Sequence, residues 1–245
     1  AANSINWARC MTQSVYFFWA YLKLKNLEKD IIFSIPSGNF GHAYAGWTAK
    51  EMGLPIKKLM IATNSNDVLH KLFSDNHYAK SSVDQTLAPS MDISVASNFE
   101  RLLYNLHDNN SEAIFSIMNE FPKQPISIPK DKWDLVVKFF SSESCSDEDI
   151  KQQIRRTFKE SGYLLDPHTA TGIRAANTLG EEDDLIVTMA TAHPAKFGNA
   201  IDEAIPGHNL DMPQRLKVVL DQDESYEVLP ENYQNIKQFI LANVN

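Results

Sequence analysis

Three short apolar runs constrain the fold most. DIIFSI (residues 30–35), KKLMIAT (57–63) and DLIVTMAT (184–191) read as buried strands. Helical patterns separate them. HAYAGWTAKEMG (42–53) stops at Gly53 with Pro55 just beyond, and NSNDVLHKLF (64–73) has Asn and Ser available as its N-cap. YLLDPHTATGIRAANTLG (163–180) and NAIDEAI (199–205) continue the alternation on either side of the third run. Buried strands alternating with helices argue an α/β fold, a mostly parallel open sheet with helices on both faces. With 245 residues the chain can bury the core of one large domain or two small ones, and it shows no internal repeat.

Before the first strand, Trp7, Cys10, Met11, Val15, Phe18, Tyr21 and Leu22 recur at three- and four-residue steps, which predicts a helix from residue 3 to about 27. Its window SVYFFWAYL reads as a buried helix. In the middle, SSVDQTLAPSMDISVASN (81–98) reads as a loop and residues 99–121 as helices. The next stretch, 122–150, has three prolines and a run of serines and acids, and reads as a surface excursion. Residues 98–162 are thus expected to form a helical or surface insertion within the main domain. Its last helix has Ser146 with Asp149 three residues on, a capping-box pattern, and Gly162 as its stop. The chain closes with the run LKVVL (216–220) and a final helix, 231–244.

Composition excludes several classes of function. Net charge is -8 with no long basic run, which argues against a nucleic-acid partner. No apolar segment reaches the roughly 18–20 residues of a membrane span. Cys10 and Cys145 lie far apart without CxxC spacing, as in a protein of the reducing cytoplasm, and the seven histidines form no ligand spacing, so no metal site is expected. The opening AANSINWARC has neither an initiator Met nor a signal-peptide pattern, and reads as a chain entered in the middle.

The chemistry starts at PSGNFGHAYAG (36–46). A strand that ends in a Gly-containing turn and opens a helix aims backbone N–H groups and the positive end of the helix at one spot. Glycine permits close approach, and an Asn amide adds a neutral donor. A phosphate suits such a turn. Neither GxxxxGK[ST] nor GxGxxG is present, which leaves a single phosphate ester, either a cofactor such as pyridoxal phosphate or a phosphorylated substrate. Taken alone, such a junction is more often a plain left-handed turn. NSINWAR places Asn3 and Arg9 where they could converge on an anion, or simply form a capped surface helix. TMATAHPAKFG puts Thr191 just past a strand end, the edge where open parallel sheets bind ligands, or in an ordinary polar loop.

Taken in order, NSINWAR, PSGNFGHAYAG, ATNSNDVL, TLAPSMDISVASNFERLLY, DPHTATG and ATAHPAKF resemble the threonine synthases, pyridoxal phosphate enzymes of the tryptophan-synthase-β fold type. The resemblance runs from Asn3 to about Glu203. It implies a chain that is the C-terminal portion of the enzyme, mainly its large cofactor-binding domain. It also implies conversion of O-phospho-L-homoserine and water to L-threonine and phosphate in the cytoplasm, within the aspartate-family route to threonine. By the same resemblance Gly38, Asn39, Phe40 and Gly41 hold the cofactor phosphate and Thr191 faces the pyridine nitrogen. A neutral hydroxyl there leaves that nitrogen largely unprotonated. Asn3, Arg9 and Asn39 are matched to the substrate phosphate. The Schiff-base lysine is implied upstream of NSIN, since neither Lys50 nor Lys196 stands at its position, so no catalytic residue is expected in this chain and the missing N-terminal portion is its expected partner. His42 departs from relatives with Asn there, and Asp166, His168 and Thr169 lie in a recognisable motif; none of the four is assigned a role. Two other readings stay open: a related phospho-lyase acting on another amino-alcohol phosphate, and a non-catalytic phosphate- or cofactor-binding fragment.

Overall fold

The computed structural model describes residues 5–244. In chain order, α1 (Trp7–Leu24) precedes β1 (Ile31–Pro36), α2 (Gly41–Glu51), β2 (Ile56–Thr63) and α3 (Val68–Asp75). After a long loop come α4 (Phe99–Leu106), α5 (Ser111–Glu120), α6 (Lys130–Phe139) and β3 (Phe140–Ser144). Then follow α7 (Asp147–Ser161), α8 (Pro167–Leu179), β4 (Leu185–Thr188) and α9 (Gly198–Ala204). The chain divides into two units, Ala1–Leu210 and Asp211–Asn245. The second contains α10 (Gln214–Leu220), which takes in the run LKVVL, and α11 (Tyr233–Asn243), whose first turn is capped by Asn232.

The sheet has the order β3-β2-β1-β4, and every strand pair in it is parallel. Phe33 lies opposite Leu59 of β2 and Val187 of β4. Alternation along β1 sends Ile31, Phe33 and Ile35 into a core shared with Phe17 of α1, Ala43, Ala45 and Ala49 of α2, and Leu69 and Leu72 of α3. Burying aliphatic and aromatic side chains of this size stabilises by about 1.5–3 kcal/mol each. On the opposite face α8 lies directly on the strands. Ser34 Oγ donates to the Gly172 carbonyl at 2.6 Å, and a Cβ on Gly172 would come within 2.8 Å of Thr188 Cγ2. Only glycine permits that approach. A smaller core of Cys145, Ile150, Ile154, Leu165, Ala170 and Ile201 joins α7, α8 and α9. Helices therefore cover both faces, as the alternation of runs predicts.

Three local expectations are corrected. SVYFFWAYL is helical, but only one side of it is buried: Phe17 and Ala20 pack inward while Tyr16 and Trp19 are 57% and 63% exposed. An aromatic-rich run hides the amphipathic period because both faces are apolar. Within the stretch read as a surface excursion, FSSES forms β3 beside β2, its serines half-buried at the sheet edge. Finally, Asp67 precedes α3 without a side-chain cap, because Asn64 and Asn66 turn to the 84–92 loop instead.

The capping box is present at α7. Ser146 Oγ accepts from the Asp149 N–H at 3.2 Å, and Asp149 Oδ2 accepts from the Ser146 N–H at 3.0 Å. Ser146→Ala is expected to lower unfolding free energy by about 1 kcal/mol, read as a shifted urea midpoint at unchanged slope. An unchanged midpoint would show that α7 is held by packing alone.

Candidate functional site

Strand order reverses beside β1. From β1 the chain crosses to β2 on one side, whereas β4 arrives through α7 and α8 to pair on the other. In open parallel sheets the crevice at such a reversal is where ligands bind. The SGNFG turn leaves the C-terminal end of β1 and Thr191 follows the C-terminal end of β4, so neighbouring strands bring the two stretches to one edge of the sheet. The Met189 N–H donates to the Ser34 carbonyl at 2.9 Å and extends that pairing toward Thr191.

Ser37 is buried and its N–H donates to the Ala62 carbonyl at 2.8 Å. Its Oγ finds no partner among the described residues, an orphaned hydroxyl directly before the glycine. Gly38 is required by packing: a Cβ there would lie 2.9 Å from Met91 Cα and 3.3 Å from the Ser90 carbonyl oxygen. Asn39 is half-buried, and its Oδ1 accepts from the Ser97 N–H at 2.5 Å and the Ser97 hydroxyl at 2.6 Å. That fixes the amide and turns its NH2 away from Ser97. Phe40 sits at φ 62°, ψ 1°, with its ring fully buried, so what it offers a ligand is backbone. No side chain caps the start of α2, whose first-turn N–H groups have no acceptor within the helix.

Residues that the sequence reading did not single out hold this turn. Asn98 is buried; its N–H and Nδ2 both donate to the Asn39 carbonyl, at 3.2 and 3.1 Å. Its Oδ1 accepts from Cys10 Sγ at 3.5 Å and Arg101 Nε at 3.1 Å, and Arg101 reaches on to the Ile5 carbonyl at 2.7 Å. The start of α1, with Arg9 exposed beside Cys10, is thereby tied to the SGNFG turn. Asp92 does the same for the loop on Gly38. Its Oδ1 accepts from Asn64 Nδ2 at 2.7 Å and Asn66 Nδ2 at 3.0 Å, and its Oδ2 from the Thr86 N–H at 3.0 Å. The signal for both was their place inside TLAPSMDISVASNFERLLY. Asn3 lies outside the described residues.

Thr191 is exposed, and its N–H donates to Thr169 Oγ1 at 3.1 Å. It shares a cavity of ≈ 460 Å³ with Tyr16, Trp19, His42, Thr188 and Met189. The two lysines considered from the sequence point elsewhere. Lys50 Nζ donates to the Ile56 carbonyl at 3.3 Å above the Phe139 ring, and Lys196 lines a separate cavity with Thr86 and Pro89. Among the described residues no group of three or more His, Cys, Asp or Glu could hold a metal ion.

This sheet order and the position of the crevice define an α/β fold of pyridoxal-phosphate fold type II. Comparison with known proteins takes the assignment further. The family described as threonine synthase, C-terminal, matches residues 169–240. A threonine synthase of Pseudomonas aeruginosa is 41% identical over 100% of this chain and 53% of its own length. The crystal structure of a PLP-bound threonine synthase from Brucella melitensis superposes with a TM-score of 0.89 at 37% identity, over 98% of this chain and 52% of that one. The yeast threonine synthase gives 0.85 at 34%, over 99% and 54%. Over its whole length the chain is similar to threonine synthases, and it spans about half the length of the curated relatives it matches.

His42 sits at the α2 start with its Nε2 buried and without a partner among the described residues, its ring edge-on to Phe17 at 5.3 Å. Burial disfavours the imidazolium and pushes its pKa from 6.5 down to about 4. The unfolded chain therefore takes up this proton first. The stabilisation from a neutral His42 is complete above about pH 6.5 and is lost as pH falls through 4, by about 3 kcal/mol at most. Urea titrations across that window should show wild type losing more stability than His42→Phe by up to this amount. Parallel losses in the two proteins would mean that His42 titrates normally.

Proposed function

We propose that this chain supplies the phosphate-binding half of a pyridoxal phosphate-dependent threonine synthase that converts O-phospho-L-homoserine and water to L-threonine and phosphate. The observation that carries the reading is the meeting of the SGNFG turn and Thr191 at neighbouring strand ends, with an orphaned Ser37 hydroxyl and an uncapped helix start at that edge. These donors suit a phosphate dianion. When bound, pyridoxal phosphate supplies the electron sink for proton removal at Cα and Cβ of the substrate.

The residues of the chain take the following parts. Backbone N–H groups of Gly38, Asn39, Phe40 and Gly41, with Ser37 Oγ, grip the cofactor phosphate. The Thr191 hydroxyl donates to the ring nitrogen and adds no charge there. Arg9 and the Asn39 amide bind the substrate phosphate and stabilise it as it leaves, and Asn3 is kept in that set on the family pattern alone. Preorganised donors aimed at a departing anion are the largest contribution a protein makes to such a step. The covalent lysine comes from the part of the full-length protein outside this chain. That part also covers the exposed apolar side of α1 and the outer edge of β4, which among the described residues pairs only with β1. Two buried free cysteines support a cytoplasmic setting. No helix among the described residues is long and apolar enough to cross a membrane.

The test is product identity with the full-length protein, pyridoxal phosphate and O-phosphohomoserine. Threonine with stoichiometric phosphate supports the reading; a 2-oxo acid with phosphate assigns a phospho-lyase, and no product leaves a binding protein. Asn39→Ala is expected to weaken cofactor retention and turnover together, about ten- to hundredfold. Arg9→Ala should raise the KM for phosphohomoserine by about tenfold or more with the cofactor retained, as for other lost charged hydrogen bonds. Unchanged kinetics in Arg9→Ala would remove Arg9 from the site.

A further inference from the structure

We propose that Asp166, acting through Thr169 and His168, is a brace that sets the spacing between Thr191 and the loop packed on Gly38, making these three the positioning residues of the cofactor site. The inference rests on the assignment of Gly38–Gly41 and Thr191 given above.

Asp166, His168 and Thr169 are all buried at the start of α8. Asp166 Oδ1 accepts from the N–H groups of His168 at 2.9 Å and Thr169 at 3.2 Å, an ordinary N-cap. The two side chains go beyond what a cap needs. Thr169 Oγ1 donates its only proton to Asp166 Oδ2, which leaves its lone pairs to accept the Thr191 N–H at 3.1 Å. His168 Nε2 accepts the Ser90 N–H at 3.1 Å, so the ring proton sits on Nδ1, 3.3 Å from Asp166 Oδ1. Each arm ends on a backbone N–H of a different loop.

Those loops are the two sides of the crevice. Ser90 and Met91 are the residues that crowd Gly38, and Thr191 is the residue assigned to the ring nitrogen. The Phe197 ring, from the segment after Thr191, packs on His168 at 4.7 Å and ties the second loop to the first arm as well. Burial pushes the Asp166 carboxyl up, but the Thr169 hydroxyl and N–H, with the His168 ring close beside it, outweigh this and hold it below the ordinary aspartate value. Asp166 therefore stays an acceptor, and an acceptor is what fixes the Thr169 hydroxyl proton away from Thr191. The carboxylate thus sets the direction of the Thr169–Thr191 bond, while on the other arm the Ser90 N–H sets the His168 tautomer and Nδ1 lies beside Asp166 without completing a hydrogen bond.

The experiment uses the full-length protein with Thr169→Val, which keeps shape and loses the hydroxyl, and Thr169→Ser, which keeps the hydroxyl. Two quantities are read: amide hydrogen exchange at Thr191 without cofactor, and the dissociation rate of pyridoxal phosphate. Thr169→Val is expected to speed both by about two- to tenfold, the range for one net hydrogen bond, and Thr169→Ser to restore both. Unchanged Thr191 exchange in Thr169→Val, or a Ser variant as impaired as the Val variant, overturns the brace while the site assignment stands. A wild-type protein that retains no pyridoxal phosphate overturns the site assignment and this inference with it.

Discussion

Phe40 occupies a left-handed backbone conformation that costs a bulky residue about 1–3 kcal/mol, and the burial of its ring more than offsets this. The ring lies between Phe73 at 5.8 Å, Phe99 at 5.9 Å and Phe140 at 6.1 Å, which come from α3, α4 and β3. Truncating a buried Phe removes about 3–5 kcal/mol, so the packing wins. With the side chain anchored inward, the backbone has to reverse at the surface. That reversal is what leaves the Ser37 hydroxyl and the first N–H groups of α2 at the sheet edge. The donors left at the turn are thus a consequence of core packing on the far side of the same residue.

The loops around the turn are held by a different device, buried polar side chains that bond to backbone groups far away in sequence. Asn98 holds the Asn39 carbonyl and the start of α1, and Asp92 binds residues 64–92 into one unit. A buried amide or carboxylate with several partners is costly to disrupt, because losing one partner leaves the others desolvated. This gives loops the positional precision of regular elements without extending the sheet, and a site made of strand-end loops needs that precision.

How far the sequence shows this depends on the range of the interaction. Alternating apolar runs make the strands and their parallel order readable, because burial on both faces imposes its own composition. The capping box of Ser146 and the Gly162 stop are equally legible, since the groups concerned lie within a few residues of one another. The edge strand Phe140–Ser144 is not, because a serine-rich edge needs no apolar pattern. Neither is the division of α1 into buried and exposed faces, where aromatics occupy both. Gly38 shows why a motif can be read without its reason: its absent Cβ makes room for Met91, fifty-three positions on, and no local rule contains that contact. The approach of Gly38–Gly41 and Thr191 follows from family pattern and sheet topology together, whereas Asn98, Asp92 and Ser37 lie inside motifs whose sequence does not show what their side chains do.

The two sides of the crevice differ in what they depend on. The turn at Gly38–Gly41 is set by contacts internal to this chain: the Phe40 ring in the core, Asn98 beneath Asn39, and the Asp92 loop against Gly38. The Thr191 side is built from β4, which among the described residues pairs only with β1, from the Thr169 hydroxyl on the Thr191 N–H and from the Phe197 ring on His168. Beside it stand Tyr16 and Trp19, apolar and exposed. Exposed aromatics in a row beside an open strand edge are a surface that further polypeptide stabilises by covering. The turn is therefore shaped by bonds within this chain, whereas the Thr191 side borders a surface that further polypeptide would cover.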